Sequence, residues 1–153
     1  SANSKYDNVK RGGDKFNSAE AHGYELFKAN CATCHKEPLF TDNSYRNNGL
    51  ALNDYLKDYG RMRITGDSAD SLKFIVPSLR NVSITFPYMH DGRLYSLYKV
   101  VDHYRNVIQL IPTLDSSLRK PLNISYAERD DIVYLLHTLK DTSFLNNKRF
   151  SQH

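Results

Sequence analysis

The sequence predicts an all-α domain with long loops, and three observations predict it. Two stretches, Ser18 to Asn30 and Ser125 to Leu139, set apolar residues three and four apart, the repeat that lines one face of a helix. A shorter stretch from about Ser96 to Arg105 does the same. The segments between them are polar or broken by proline, and none shows the alternation of a half-buried strand, so strands are expected to be few or absent.

Each element has its own signals. Residues 1–17 form a polar N-terminal segment, expected to be loosely held. The first helix begins at Asn17 or Ser18, either of which can cap it, and Glu20 suits the positive end of the helix dipole. Ala21, Tyr24, Phe27 and Cys31 share one face, so this helix delivers Cys31 inward as it ends. From Thr41 to Ser71 the chain reads as loops with one short turn near Asn53–Asp58. Leu72 to Tyr88 is apolar but carries Pro77 and Pro87, which marks extended loop, and Asp91-Gly92 marks a turn. In the helix from Ser96, residues Leu97, Val100, Val101 and Tyr104 fall on one side. Ser125 and Glu128 have the spacing of a capping box, ahead of a stripe of Ile132, Leu135, Leu136 and Leu139.

The bulk numbers exclude several classes. A chain of 153 residues with 40% hydrophobic content fits one domain with one core. No run approaches the ~18 apolar residues of a membrane-spanning helix. Ser1 to Lys15 contains no apolar signal segment, so an exported form would be a mature chain or a piece of a longer one. The net charge of +4 comes from scattered basic residues, with no stripe of the kind that reads nucleic acid.

Chemistry concentrates in one pentapeptide, Cys31-Ala32-Thr33-Cys34-His35, which holds both cysteines of the chain. Two thiols at this spacing can add to the two vinyl groups of one haem, and the histidine that follows can bind the iron from below. A zinc site would want further ligands at set spacing, and none is present. A thioredoxin-like pair would want a βαβ setting, which the helical pattern denies. A pair of structural thiols leaves the histidine unexplained. The expectation is a cytochrome c-like helical domain, all-α with long loops around one covalent haem c. For the sixth iron position the residues alone leave Met62, Met89, His22, His90, His103, Tyr104 and His137 open. Tyr104 has one point in its favour: it lies on an apolar stripe, where a buried phenol needs a partner.

The run Val76-Pro77-Ser78-Leu79-Arg80-Asn81-Val82, followed by Thr85-Phe86-Pro87-Tyr88-Met89-His90-Asp91-Gly92, resembles the bacterial dihaem cytochrome c peroxidase and MauG family. Gly66-Asp67 and Asp102-His103-Tyr104 extend the likeness, which is to the C-terminal haem domain and covers nearly all of residues 18–140. It sets a cytochrome c domain at 18–145 and a tail at 146–153.

The resemblance implies a periplasmic protein that reduces hydrogen peroxide with electrons from a small donor such as a cytochrome or cupredoxin, or that oxidises another protein in the MauG manner. It matches Cys31, Cys34 and His35 to haem attachment. It places the sixth ligand fourteen residues after His90, at Tyr104, where the peroxidase branch has methionine and the MauG branch tyrosine. It implies calcium held at a domain interface by the backbone carbonyls of Thr85 and Pro87, and Arg80 either paired with a haem propionate or in a structural salt bridge. The peroxidatic N-terminal haem domain and a bridging tryptophan are missing here, so the chain alone reads as an electron-transfer half rather than a complete peroxidase. A stand-alone monohaem carrier is the alternative from another class.

Overall fold

The computed structural model describes residues 2–150 and is built on helices. Helix α1 spans Lys5–Lys10, α2 Ser18–Asn30, α3 Met62–Thr65, α4 Leu97–Asn106, α5 Tyr126–His137 and α6 Thr142–Leu145. The only strands among the described residues are β1, Tyr45–Arg46, and β2, Phe74–Ile75, paired antiparallel with Tyr45 opposite Ile75 and Arg46 opposite Phe74. Their two-residue length fits an expectation of little or no sheet.

Helix α2 starts where side chains replace missing backbone partners. Asn17 Oδ1 accepts from Glu20 N at 2.8 Å and Glu20 Oε2 accepts from Asn17 N at 2.8 Å, a reciprocal box that spacing alone makes legible. Ser125 and Glu128 do the same for α5, as their spacing predicts. These two helices form the main pairing of the fold, with α4 against α5. The crossing is close because Gly23 has no side chain: a Cβ there would lie 2.0 Å from the Asp131 carbonyl oxygen. Phe27, Ile132, Val133, Leu135 and Leu139 are buried around it, with Leu97 and Val101 from α4. Each such side chain contributes about 1.5–3 kcal/mol of burial free energy. Ala21, expected on the inner face of α2, is exposed, since the glycine contact rotates the helix so that Gly23 and Phe27 face α5.

The N-terminal segment departs from expectation. It is folded: Ser4 and Asp7 cap α1 reciprocally, and Tyr6 is buried with its backbone N–H donating to Thr138 O at 3.1 Å. Tyr6 meets Phe40 edge-on at 4.9 Å between ring centroids. Asp7 pairs with Arg80 at 2.7 Å and Lys5 with Glu20 at 2.6 Å, so an aromatic anchor and ion pairs together dock the segment. Residues 151–153 of the expected tail lie outside the described residues.

Candidate functional site

Helix α2 ends at Cys31, whose N–H still donates to Phe27 O at 2.8 Å. The next turn then folds back on it: Cys34 N and His35 N both donate to Cys31 O, at 3.2 and 3.0 Å. The helix therefore ends in a tight turn that brings two sulfurs and one imidazole together. Both cysteines are free and half-buried. Burial, with a smaller contribution from Cys34, pushes the Cys31 thiol up to about 12, and burial also raises that of Cys34. Such thiols are protonated at neutral pH, unlike the thiolates that serve disulfide exchange.

The histidine ring is oriented by backbone. His35 Nδ1 donates to the Phe40 carbonyl at 3.0 Å. Burial lowers its pKa, which favours neutral imidazole. With Nδ1 committed as donor, Nε2 is the nitrogen left with a lone pair for a metal.

Of the seven sixth-position candidates, Tyr104 is the one whose phenol shares an electrostatic neighbourhood with both Cys31 and Cys34. Burial pushes its pKa up to about 12, against a lowering hydrogen bond from Asn48. Met89 lies close by, its Sδ accepting from Asn48 Nδ2 at 3.4 Å. Three of the other five are engaged elsewhere. His103 is buried and donates Nε2–H to the Asn48 carbonyl at 2.9 Å. His22 pairs with Asp131 at 2.7 Å on the surface. His90 stacks on Phe74 at 3.7 Å between centroids. His137 is exposed at the end of α5, and Met62 opens α3.

Arg80 takes the structural alternative. Its Nη1 donates to both carboxylate oxygens of Asp7 at 2.8 and 2.7 Å, while Nε and Nη2 donate to the Pro38 carbonyl. A propionate would have to displace these bonds. Thr85 and Pro87 sit in an exposed loop after the 3-10 turn Val82–Ile84, and no cluster of acidic or histidine ligands stands beside them among the described residues.

Sequence reading missed two residues near the site. Arg46 bridges Asp42 at 2.8 Å and Asp115 at 2.9 Å and sets the charge around Cys34. It borders a cavity of about 540 Å³ lined also by Tyr45, Lys73, Thr113 and Asp115. Asn48, beside Tyr104 and Met89, lies in a polar loop with no periodicity to flag it.

A helical core that ends in a backbone-oriented Cys-x-x-Cys-His turn defines a cytochrome c-like domain. No protein-family model matches the chain. The chain is 41% identical over 122 aligned residues to the methylamine utilization protein MauG of Methylorubrum extorquens, covering 77% of this chain and 33% of that protein. It is 32% identical to the cytochrome c peroxidase Ccp of Escherichia coli, over 95% of this chain and 31% of that protein. The crystal structure of a MauG-like protein associated with microbial copper homeostasis superposes with a TM-score of 0.88 at 30% identity, over 99% of this chain and 52% of that one. The chain belongs to the MauG and cytochrome c peroxidase family. It spans about a third of the length of these two curated relatives.

Membership implies haem c, and the donor set fits it: two unpaired protonated thiols and an imidazole with Nε2 left over.

Proposed function

We propose that this chain is the haem c electron-transfer domain of a dihaem cytochrome c peroxidase-like protein, passing electrons from a small donor toward a peroxidatic site on another domain. The single observation that carries this reading is the turn after α2, in which the Cys31 carbonyl accepts from the backbone N–H groups of both Cys34 and His35.

Cys31 and Cys34 would hold the haem through two thioether bonds, each S–H adding across one vinyl group with sulfur on one carbon and the proton on the other, so no external oxidant would be needed. His35 would bind the iron through Nε2, and Tyr104, on α4, would offer its phenol oxygen as the other ligand. Bound haem c supplies a one-electron couple whose potential follows its axial ligands. Tyr104, as an anionic oxygen donor, favours the ferric state, so the potential lies below that of a His/Met site. Arg80 keeps its salt bridge to Asp7 in this reading. Thr85 and Pro87 offer backbone carbonyls, hard oxygen donors suited to calcium, where a peroxidatic N-terminal domain would dock. The setting is the periplasm, where thioether attachment is carried out, and the donor is a small cytochrome or cupredoxin.

Tyrosine at position 104 favours a second reading, a MauG-type enzyme whose final substrate is a protein side chain. Both readings share the test. Tyr104→Met in haem-loaded protein raises the reduction potential and introduces a sulfur–iron absorption band. A wild-type protein that already shows that band, with a potential unmoved by Tyr104→Met, overturns the ligand assignment.

A further inference from the structure

The carbonyl that orients His35 belongs to a residue in a conformation it does not favour. Phe40 has a φ of +56°, in the left-handed region where a Cβ crowds the backbone. Such a residue persists only where its surroundings over-determine it. Its ring is fully buried, edge-on to Tyr6 at 4.9 Å and to Phe27 at 5.5 Å between centroids. Its carbonyl accepts from Leu79 N at 3.3 Å as well as from His35 Nδ1 at 3.0 Å.

The clamp runs along the whole turn. Three consecutive carbonyls are held from residues 78–80. Ser78 Oγ donates to Leu39 O, Leu79 N to Phe40 O, and Arg80 through Nε and Nη2 to Pro38 O at 3.0 and 2.7 Å. Arg80 also reaches α1, its Nη1 donating to both Asp7 carboxylate oxygens at 2.8 and 2.7 Å. Its side chain is only 11% exposed, so water does not readily replace these bonds. One planar guanidinium therefore joins α1 to the turn that carries the Phe40 carbonyl.

We propose that Arg80 is a positioning residue for His35, holding the 38–40 turn so that the Phe40 carbonyl stays in line with Nδ1–H. The inference rests on the reading of His35 as iron ligand and adds what sets its strength as a donor. A histidine that gives its second N–H to a carbonyl is held in orientation and made more basic, which favours ferric iron. Loosening the fork weakens that bond, so the potential rises. Loss of the Arg80 charge by itself acts the other way, because a nearby cation favours the reduced, less positive state.

The test compares haem-loaded wild type with Arg80→Lys, Asp7→Asn and Lys5→Gln, at a temperature where each is folded. Lysine keeps the charge but lacks the fork that faces a carboxylate and a carbonyl at once. Arg80→Lys is expected to shift the couple about threefold toward ferrous iron, a rise of about 28 mV for one electron. It is also expected to speed solvent exchange of the His35 Nδ1 proton about tenfold, read by NMR. Asp7→Asn, which leaves the Pro38 bonds but frees the far end of the fork, moves both readouts the same way by less. Lys5→Gln breaks the Lys5–Glu20 pair in the same segment without touching the fork, and moves neither. An exchange rate within about twofold of wild type in Arg80→Lys, or a potential that falls, overturns the role of Arg80. So does a Lys5→Gln variant that matches Arg80→Lys. His35 ring protons that show no shift from the iron in wild type overturn the ligand reading instead.

Discussion

The α2–α5 pair and the loop-built half from Lys36 to Tyr95 divide the labour of this molecule in different ways. The helix pair is closed by apolar contact, with Phe27, Ile132, Val133 and Leu135 packed beneath a glycine crossing. The loop half is closed by directed polar contacts: Arg80 to Asp7 and Pro38, Arg46 to Asp42 and Asp115, Asn47 to Thr113. It also carries the non-glycine residues with left-handed backbone, Phe40, Asn43, Lys57, Leu72, Asn81 and Met89. The difference teaches where a site of this kind is assembled. The Cys31–His35 turn extends a rigid helix, and the loop half supplies the Phe40 carbonyl that orients His35.

Substitutions separate the two halves. Phe27→Ala opens a cavity in the helix pair and is expected to cost about 3–5 kcal/mol in denaturant unfolding. Gly23→Ala forces α2 off the Asp131 carbonyl and is expected to cost about 3 kcal/mol, read by the same curves. A loss under 1 kcal/mol at either position would mean that the crossing is not what holds the fold.

Arg80→Ala probes the other half. It leaves the buried Asp7 carboxylate without its cation, and a loss of about 2–3 kcal/mol is expected. The pH dependence sharpens the assignment. Burial pushes the Asp7 pKa up, but the hydrogen bonds from Arg80 and Ser4 outweigh it and hold the carboxyl below its usual value. A depressed carboxylate contributes its full stability above the unfolded pKa, about 3.9, and loses it as pH falls through the folded one. Wild type should therefore lose this increment on acidification below about pH 4, and Arg80→Ala should lose less, because its increment is already gone. Equal acid sensitivity in the two proteins would remove Asp7–Arg80 as the clasp. At the other extreme Tyr55, 93% exposed, is expected to change stability by no more than about 0.5 kcal/mol as Tyr55→Ala.

Legibility in the sequence follows the same division. The helix pair announces itself through the 3.6-residue repeat and the Ser125–Glu128 box, so α2, α4 and α5 appear where the pattern puts them. The face of α2 did not, because periodicity weighs Ala21 as apolar and gives no credit to Gly23, whose missing side chain decides the crossing. The loop half has no period to read. Asn48 and Arg46 bond to residues far along the chain, His103 and Asp115, and the polar N-terminal segment is docked by buried Tyr6 together with the Asp7–Arg80 and Lys5–Glu20 pairs. The pentapeptide was legible because its chemistry is local, three donors within five residues.

The most direct measurement is a pyridine haemochrome spectrum taken with an intact mass, on protein matured in a host that attaches haem c. The account predicts the spectrum of two thioether links, a mass one haem above the polypeptide, and loss of both in the Cys31→Ser, Cys34→Ser double variant. Colourless protein with the bare polypeptide mass, and both thiols open to alkylation, would contradict it.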